Sequence, residues 1–231
     1  MKIIISGTAS GIGKAIALKF LQEGHDVIGV DLNPSSFEHA HYAHVQADVA
    51  KDPLPQEDPD IVIVSHGVQE ESEAIQVNLE GAIRFSKAYE DSKNLKSVLF
   101  IASSSARSGA EFPLYCASKG GLVAYMKNAA TRLASTGITV NAADPGVVST
   151  ELIRMQKFFD PITDICFRPF IRTPLQGAQT AIHLLLDEDK AAQTGTFNRS
   201  NHIHPVGDKF LHHRKMQQLW DETEKIVAPF L

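Results

Sequence analysis

The chain has 231 residues, 43% of them hydrophobic and 21% charged, which is enough to bury the core of one globular domain. Its net charge of -5 argues against a nucleic-acid partner, because no large basic surface is implied. No apolar run approaches the ~20 residues that a membrane helix needs, and two cysteines fit a reducing compartment. We expect a cytoplasmic protein with a single domain over residues 1–231, no membrane span and no metal site.

A glycine-rich turn follows the first predicted strand, residues 2–6, and precedes a predicted helix over 14–23. Glycines let the backbone approach a ligand, and the helix N-terminus attracts a phosphate. The spacing is G-x-x-x-G-x-G rather than G-x-G-x-x-G, so the motif alone fits a plain turn equally well. The turn residues that would bind a pyrophosphate are Gly7, Ser10, Gly11, Ile12 and Gly13.

Asp31 ends the second predicted strand, which begins at residue 26, and lies 18 residues beyond Gly13. A carboxylate at this place bonds the ribose 2′-hydroxyl of NAD and repels the 2′-phosphate of NADP. Leu32 beside it and Ser10 in the loop are uncharged. NAD is therefore favoured over NADP. The alternative, an Asp that starts a turn before Asn-Pro, requires the glycine loop to be a coincidence.

Strands and helices alternate along the rest of the chain, which predicts an α/β fold with a doubly wound parallel sheet. The further predicted strands are 43–47, 60–64, 97–102 and 138–143, and the further helices are 70–92, 174–186 and 210–227. Between the third and fourth strands lies only AKDPLPQEDP, so we predict a shortened connection there. Ligands bind such sheets at the carboxyl ends of the strands. The residues at those ends include Gly7, Asp31, Asp48, Gly67, Ser103 and Pro145.

Tyr115 and Lys119 lie four residues apart on a predicted helix, so their side chains share one face. A phenol titrates near ~10 in water, and a neighbouring ammonium favours the phenolate. We therefore predict that Lys119 lowers the pKa of Tyr115, so that the phenol can exchange protons at neutral pH. Alone, such a pair also occurs by chance on surface helices.

Taken together, these motifs resemble the short-chain dehydrogenase/reductase family over nearly the whole chain. The matching residues are Ser6-Gly7-x-x-x-Gly11-Ile12-Gly13, Asp31, Asp48-Val49, Ser65-His66-Gly67, Asn78, Ser103, Tyr115-x-x-x-Lys119 and Asn141-x-x-x-Pro145-Gly146-x-x-x-Thr150. The resemblance implies a Rossmann fold with strand order 3-2-1-4-5-6-7. It also implies that subunits pair as a homodimer or homotetramer.

The resemblance also assigns roles to residues. The catalytic set would be Asn78, Ser103, Tyr115 and Lys119, with Ser104 and Ser105 as alternatives to Ser103. The cofactor would contact Tyr115 and Lys119 and, beyond the turn residues and Asp31, the set Leu32, Asp48, Val49, Ser65, His66, Gly67, Pro145, Gly146, Val148 and Thr150. Within these sets, Asp48 and Val49 would contact adenine and Thr150 the nicotinamide carboxamide.

Two departures from the family pattern concern the fourth strand. Ser65-His66-Gly67 replaces the usual Asn-Ala-Gly, and a serine hydroxyl can replace only some of the bonds that an amide makes. Only 11 residues separate Gly67 from Asn78, fewer than the family usually has. Together with the missing helix before Asp60, this short spacing is expected to trim the outer rim of the domain and to change the subunit interface.

The predicted activity is NAD-dependent hydride transfer between nicotinamide and a small alcohol or carbonyl compound, by a Ser-Tyr-Lys mechanism. The alternative is a sensor or regulatory protein of the same fold that binds NAD(H) without catalysis. Residues 151–173, rich in phenylalanine and arginine, are expected to form a lid over the substrate. A membrane-surface patch and ordinary packing against the domain are the alternatives for this segment. Residues 208–231 are expected to form a C-terminal helical extension.

Overall fold

A single sheet forms the centre of the fold in the computed structural model, which describes residues 1–107, 112–148, 172–190 and 192–204. The strand order is β3-β2-β1-β4-β5-β6-β7-β8. The strands are β1 (Lys2–Ser6), β2 (Asp26–Asp31), β3 (Tyr42–Gln46), β4 (Ile61–Val64), β5 (Ser97–Ile101), β6 (Thr139–Asp144), β7 (Phe197–Arg199) and β8 (His202–Ile203). Strands β1 to β7 pair in parallel, and β8 is antiparallel to β7. The predicted parallel sheet and its order are confirmed, with β8 as an unpredicted addition.

Helices cover both faces of this sheet, as a doubly wound fold requires. They are α1 (Gly11–Gln22), α2 (Ala82–Lys87), α3 (Pro113–Arg132) and α4 (Pro174–Leu186), with a π-helix at Gln76–Gly81 before α2. Ile3 and Ile5 pack with α1 and α4, whereas Ile4 packs with α2 and α3. All three side chains are fully buried. The alternation of side chains along β1 therefore supplies both halves of the core.

The long helix predicted over residues 70–92 is wrong at both ends, because helical structure begins at residue 74 and α2 ends at Lys87. The Asn78 amide donates to the Val68 carbonyl and accepts from the Val68 N–H, both at 2.7 Å. These two bonds join residues ten positions apart and close a loop that ends inside the helical segment. The residues before 74 consequently form turns rather than a first helical turn.

The predicted shortened connection between β3 and β4 is confirmed, since residues 47–60 contain turns and extended chain. Side chains from α2 and the turn after it hold this segment. The Arg84 guanidinium donates to the carbonyls of Val49 and Asp52, each at 2.7 Å. The Tyr89 hydroxyl donates to the Pro55 carbonyl at 3.0 Å. These contacts take the place of the packing that a crossover helix provides.

Two predicted segments lie mostly or wholly outside the described residues. Of the expected lid, only Arg172 and Thr173 are described, and Thr173 caps α4 in a reciprocal capping box with Gln176. The expected extension over 208–231 and Thr150 are not among the described residues. Within the described ranges, no helix combines the length and hydrophobicity needed to cross a membrane.

Candidate active site

The glycine-rich turn occupies the junction between β1 and α1. Gly7 and Gly11 have φ angles of +79° and +58°, a region that favours glycine. A Cβ on Gly13 would lie 2.0 Å from the Gly7 carbonyl oxygen, so that position also requires glycine. The turn therefore brings the N-terminus of α1 to the carboxyl end of the sheet, where its N–H groups suit an anion.

Asp31 is fixed beside this turn at the end of β2. One carboxylate oxygen accepts from the Ala9 N–H and the other from the Asn33 N–H, each at 2.9 Å. Carboxylate oxygens have further lone pairs, so the group can still accept a bond from a ligand hydroxyl. These two hydrogen bonds from main-chain N–H groups hold the carboxylate at the end of β2, where the sequence predicts ribose recognition.

A cleft of 590 Å³ runs along the carboxyl ends of the strands. Every predicted cofactor-binding residue that the structure describes lines it, and so do Ser103, Tyr115 and Lys119. Ser104 and Ser105, the alternatives to Ser103, line it too. Asn78 is not among the lining residues. The predicted site thus forms one continuous surface in which Asn78 lies behind the wall.

Sequence reasoning missed Lys51 on this wall. It follows the turn after β3, and its ammonium lies 3.4 Å from the Asp48 carboxylate. A lysine three residues after an aspartate in a turn is a weak signal, because such pairs are common on surfaces. Lys51 adds a positive charge near the predicted adenine contacts.

Tyr115 and Lys119 lie in the first two turns of α3, and both are buried, with 9% and 5% of their surface exposed. The Lys119 ammonium donates to the Ile101 carbonyl at 3.2 Å and lies 5.9 Å from the centre of the Tyr115 ring. Both residues thus stand at the end of β5, with the amine beside the phenol.

Burial governs how these two groups hold protons. It lowers the pKa of Lys119 to about 8, because the ammonium is removed from water. It also raises the pKa of Tyr115 above its ordinary value, while hydrogen bonding with Ser103 lowers that pKa and the Asp144 carboxylate raises it. The prediction that the pKa of Tyr115 is lowered is therefore wrong for the protein alone. Desolvation of the phenolate raises this pKa by more than the hydrogen bond with Ser103 lowers it.

Asn78 lies in the π-helix, 1% exposed, with its amide committed to neighbours in the protein. Besides the two bonds with Val68, its Nδ2 donates to the Ser118 hydroxyl at 3.3 Å. A Cβ on Gly67 would lie 3.0 Å from the Asn78 Oδ1 and 3.4 Å from the Lys119 ammonium. Asn78 consequently fixes the chain directly behind Lys119.

His66 makes contacts that the motif comparison did not reveal. Its Nε2 lies 3.1 Å from the Val77 carbonyl and its Nδ1 lies 2.6 Å from the Ser6 hydroxyl. Burial lowers the pKa of His66 to about 4, and the positive charge of Lys119 adds to this effect. The ring is therefore neutral, with Nε2–H donating to Val77 and Nδ1 accepting from Ser6. It links the end of β1 to the π-helix.

A glycine turn, a carboxylate after the second strand and a polar wall at the strand ends together define a dinucleotide-binding α/β protein. A family profile described as Enoyl-(Acyl carrier protein) reductase matches residues 63–196. A second, described as the NAD dependent epimerase/dehydratase family, matches residues 3–115. The first profile covers more than half of the chain, and the two together reach from β1 to the start of β7.

Known proteins of similar sequence and structure agree with this class. Short chain dehydrogenase adrF of Penicillium rubens is 29% identical over an alignment of 190 positions that covers 70% of this chain and 73% of that protein. Retinol dehydrogenase 12 of Homo sapiens is 32% identical over 114 residues, 49% of this chain and 36% of that protein. The solved 4-hydroxyisoleucine dehydrogenase complexed with NADH has a TM-score of 0.73 at 25% identity, covering 86% of this chain and 96% of that one. The chain belongs to the short-chain dehydrogenase/reductase family and is an oxidoreductase of that family.

Proposed function

We propose that this protein transfers a hydride between nicotinamide and the carbinol carbon of a small alcohol, or the reverse with a carbonyl compound. The observation that carries the proposal is the convergence of Ser103, Tyr115 and Lys119 on one wall of a cleft whose other end holds Asp31. The hydride chemistry belongs to the nicotinamide, and the protein supplies position and proton transfer.

Each of the three residues has a role that follows from its chemistry. Tyr115 takes the alcohol proton as general base, or returns it to a carbonyl as general acid. Ser103 donates a hydrogen bond to the substrate oxygen as charge develops there. Lys119 is the nearby cation that stabilises the phenolate and bonds the nicotinamide ribose. Asn78 fixes the chain behind Lys119, and the remaining lone pair of its Oδ1 is proposed to accept a bond from a water that passes protons from Lys119 to solvent.

The cofactor that we propose is NAD rather than NADP. Two features support this choice: a glycine turn of the kind that binds a pyrophosphate, and the Asp31 carboxylate, fixed by the N–H groups of Ala9 and Asn33, which would accept a bond from a ribose hydroxyl. The same carboxylate repels a 2′-phosphate. The positive charge of Lys51 would instead attract a 2′-phosphate and so favour NADP, although the Asp48 carboxylate partly offsets that charge. The NADH complex of 4-hydroxyisoleucine dehydrogenase supports a nicotinamide cofactor.

The decisive test is consumption of NADH with a panel of ketones and aldehydes by wild type and by two phenylalanine variants. Tyr115→Phe should lose turnover by about 10²- to 10⁴-fold, since it lacks the proton-transferring hydroxyl. It should still bind NADH, because the ring is kept. Tyr125→Phe is the matched control: Tyr125 lies on the same helix but bonds Glu90 away from the cleft, so turnover should be retained.

Two results would contradict the proposal. Equal turnover by Tyr115→Phe and Tyr125→Phe would remove Tyr115 from the reaction. Binding of NADH by wild type, with no consumption on any substrate of the panel, would favour the sensor or regulatory protein instead.

A further inference from the structure

Helix α3 begins without a polar residue at its N-cap position. Phe112 occupies that position, and an apolar ring cannot accept a hydrogen bond from the helix. Pro113, the first helical residue, has no N–H, and the first helical bond runs from the Cys116 N–H to the Phe112 carbonyl. The N–H groups of Leu114 and Tyr115 therefore need partners from elsewhere in the chain.

Glu71 supplies both partners. One of its carboxylate oxygens accepts from the Leu114 N–H at 2.8 Å, and the other accepts from the Tyr115 N–H at 3.0 Å. The carboxylate comes from a segment 44 residues before Tyr115. It is a charge-assisted contact at the positive end of a helix, where a carboxylate is favoured.

The segment that carries Glu71 is itself held in place. It lies in the loop that the two bonds between Val68 and Asn78 close. Within the loop, the Glu73 N–H donates to the Glu70 carbonyl, forming a turn around Glu71. The short stretch between Gly67 and Asn78 thus presents the carboxylate to the start of α3.

We propose that Glu71 is a positioning residue for Tyr115, an inference that rests on the proposed function. Tyr115 lies in the first turn of α3, and first turns fray when their N–H groups lack partners. By bonding the main-chain N–H of Tyr115 itself, Glu71 fixes the point at which the helix begins and so the place of the phenol in the cleft. Glu71 itself is not among the residues that line the cleft.

The test compares Glu71→Ala and Glu71→Gln with Glu70→Ala, in the full chain. Glu70 is the adjacent exposed carboxylate, whose side chain contacts Ser72 at 3.5 Å, so it controls for the loss of charge. Three quantities are measured: kcat with saturating NADH, the Kd for NADH, and hydrogen exchange of the peptide covering residues 113–119.

Glu71→Ala should lower kcat by about 10- to 100-fold, because a displacement of about 1 Å costs that much in rate. The Kd for NADH should change less than about twofold, since the glycine turn and Asp31 are untouched, and exchange at residues 113–119 should become faster. Glu71→Gln keeps one acceptor oxygen, so its kcat should fall between those of wild type and Glu71→Ala. Glu70→Ala should match wild type in all three quantities.

Faster exchange with an unchanged kcat would show that Glu71 only stabilises the helix, which overturns the proposal. Unchanged exchange in both Glu71 variants would also overturn it, because the contact would then not hold the first turn. If Glu71→Ala fails to fold, the same comparison of kcat, the Kd for NADH and hydrogen exchange is made with Glu71→Gln. Absence of turnover in wild type would defeat the proposed function instead, and the exchange comparison would still decide whether Glu71 caps α3.

Discussion

The neutral His66 ring makes the stability of this protein depend on pH. The folded protein holds the ring between Ser6 and Val77 with a pKa of about 4, against 6.5 for an ordinary histidine. Between these values the unfolded chain binds a proton at this position that the folded chain does not. The stabilisation is therefore complete above pH 6.5 and is lost progressively as the pH falls towards 4.

The size of this effect follows from the two pKa values. Linkage gives a loss of about 2 kcal/mol in the free energy of unfolding between pH 7 and pH 5, and about 3 kcal/mol by pH 4. A loss of that size is a large part of the stability of an ordinary domain. It is therefore measurable by urea unfolding followed by far-ultraviolet circular dichroism.

The perturbation is His66→Gln, which keeps a polar side chain but cannot be protonated. At pH 7 the variant should be less stable than wild type, because the glutamine amide cannot bond both the Ser6 hydroxyl and the Val77 carbonyl as the two ring nitrogens do. This difference should shrink by about 2 kcal/mol at pH 5, since only wild type loses the contribution of a neutral imidazole. Other ionisable groups are shared by both proteins and cancel in the comparison. A difference that stays constant from pH 7 to pH 5 would refute the reasoning.

Three further substitutions test other parts of the site and core. Asp31→Ala should weaken NADH binding by about 10- to 100-fold in a fluorescence titration, as expected for a hydrogen bond to a charged group. An unchanged Kd in the variant would contradict this, and a wild type that prefers NADPH would contradict the choice of NAD. Asp144→Asn removes a charge that raises the pKa of Tyr115, so the rising, low-pH limb of the pH profile for alcohol oxidation, which follows deprotonation of the phenol, should move to lower pH. An unmoved limb would exclude that influence. Gly29→Ala should cost about 1–3 kcal/mol in urea unfolding, because the new Cβ would lie 2.1 Å from the Tyr42 hydroxyl.

Local sequence signals were enough to predict the parts of the fold that depend on neighbouring residues. The β-branched run of β1, the glycine turn and α1 follow one another directly, so pattern and structure agree there. The position of Asp31 follows from the same unit. The Tyr115 and Lys119 pair was predictable because helical spacing alone places both side chains on one face.

Contacts between distant residues account for what sequence reasoning missed. Residues 70–92 carry apolar residues at helical spacing, yet the bonds between Asn78 and Val68 delay the helix to residue 74. Glu71 is one of three acidic residues within positions 70–73, and only the fold brings it to Tyr115. The upward shift in the Tyr115 pKa depends on burial, which no spacing of residues reports.

Residues 47–60 depend for their position on α2 and the turn after it, so we expect these two parts of the chain to change together in evolution. The Arg84 guanidinium donates to the Val49 carbonyl, next to Asp48, and the Tyr89 hydroxyl donates to the Pro55 carbonyl. A lineage that inserted a crossover helix here would displace the Arg84 guanidinium and, with it, the wall beside the predicted adenine contacts. Among relatives, substitutions in residues 47–60 should therefore accompany substitutions in α2, without accompanying changes in the rest of the sheet.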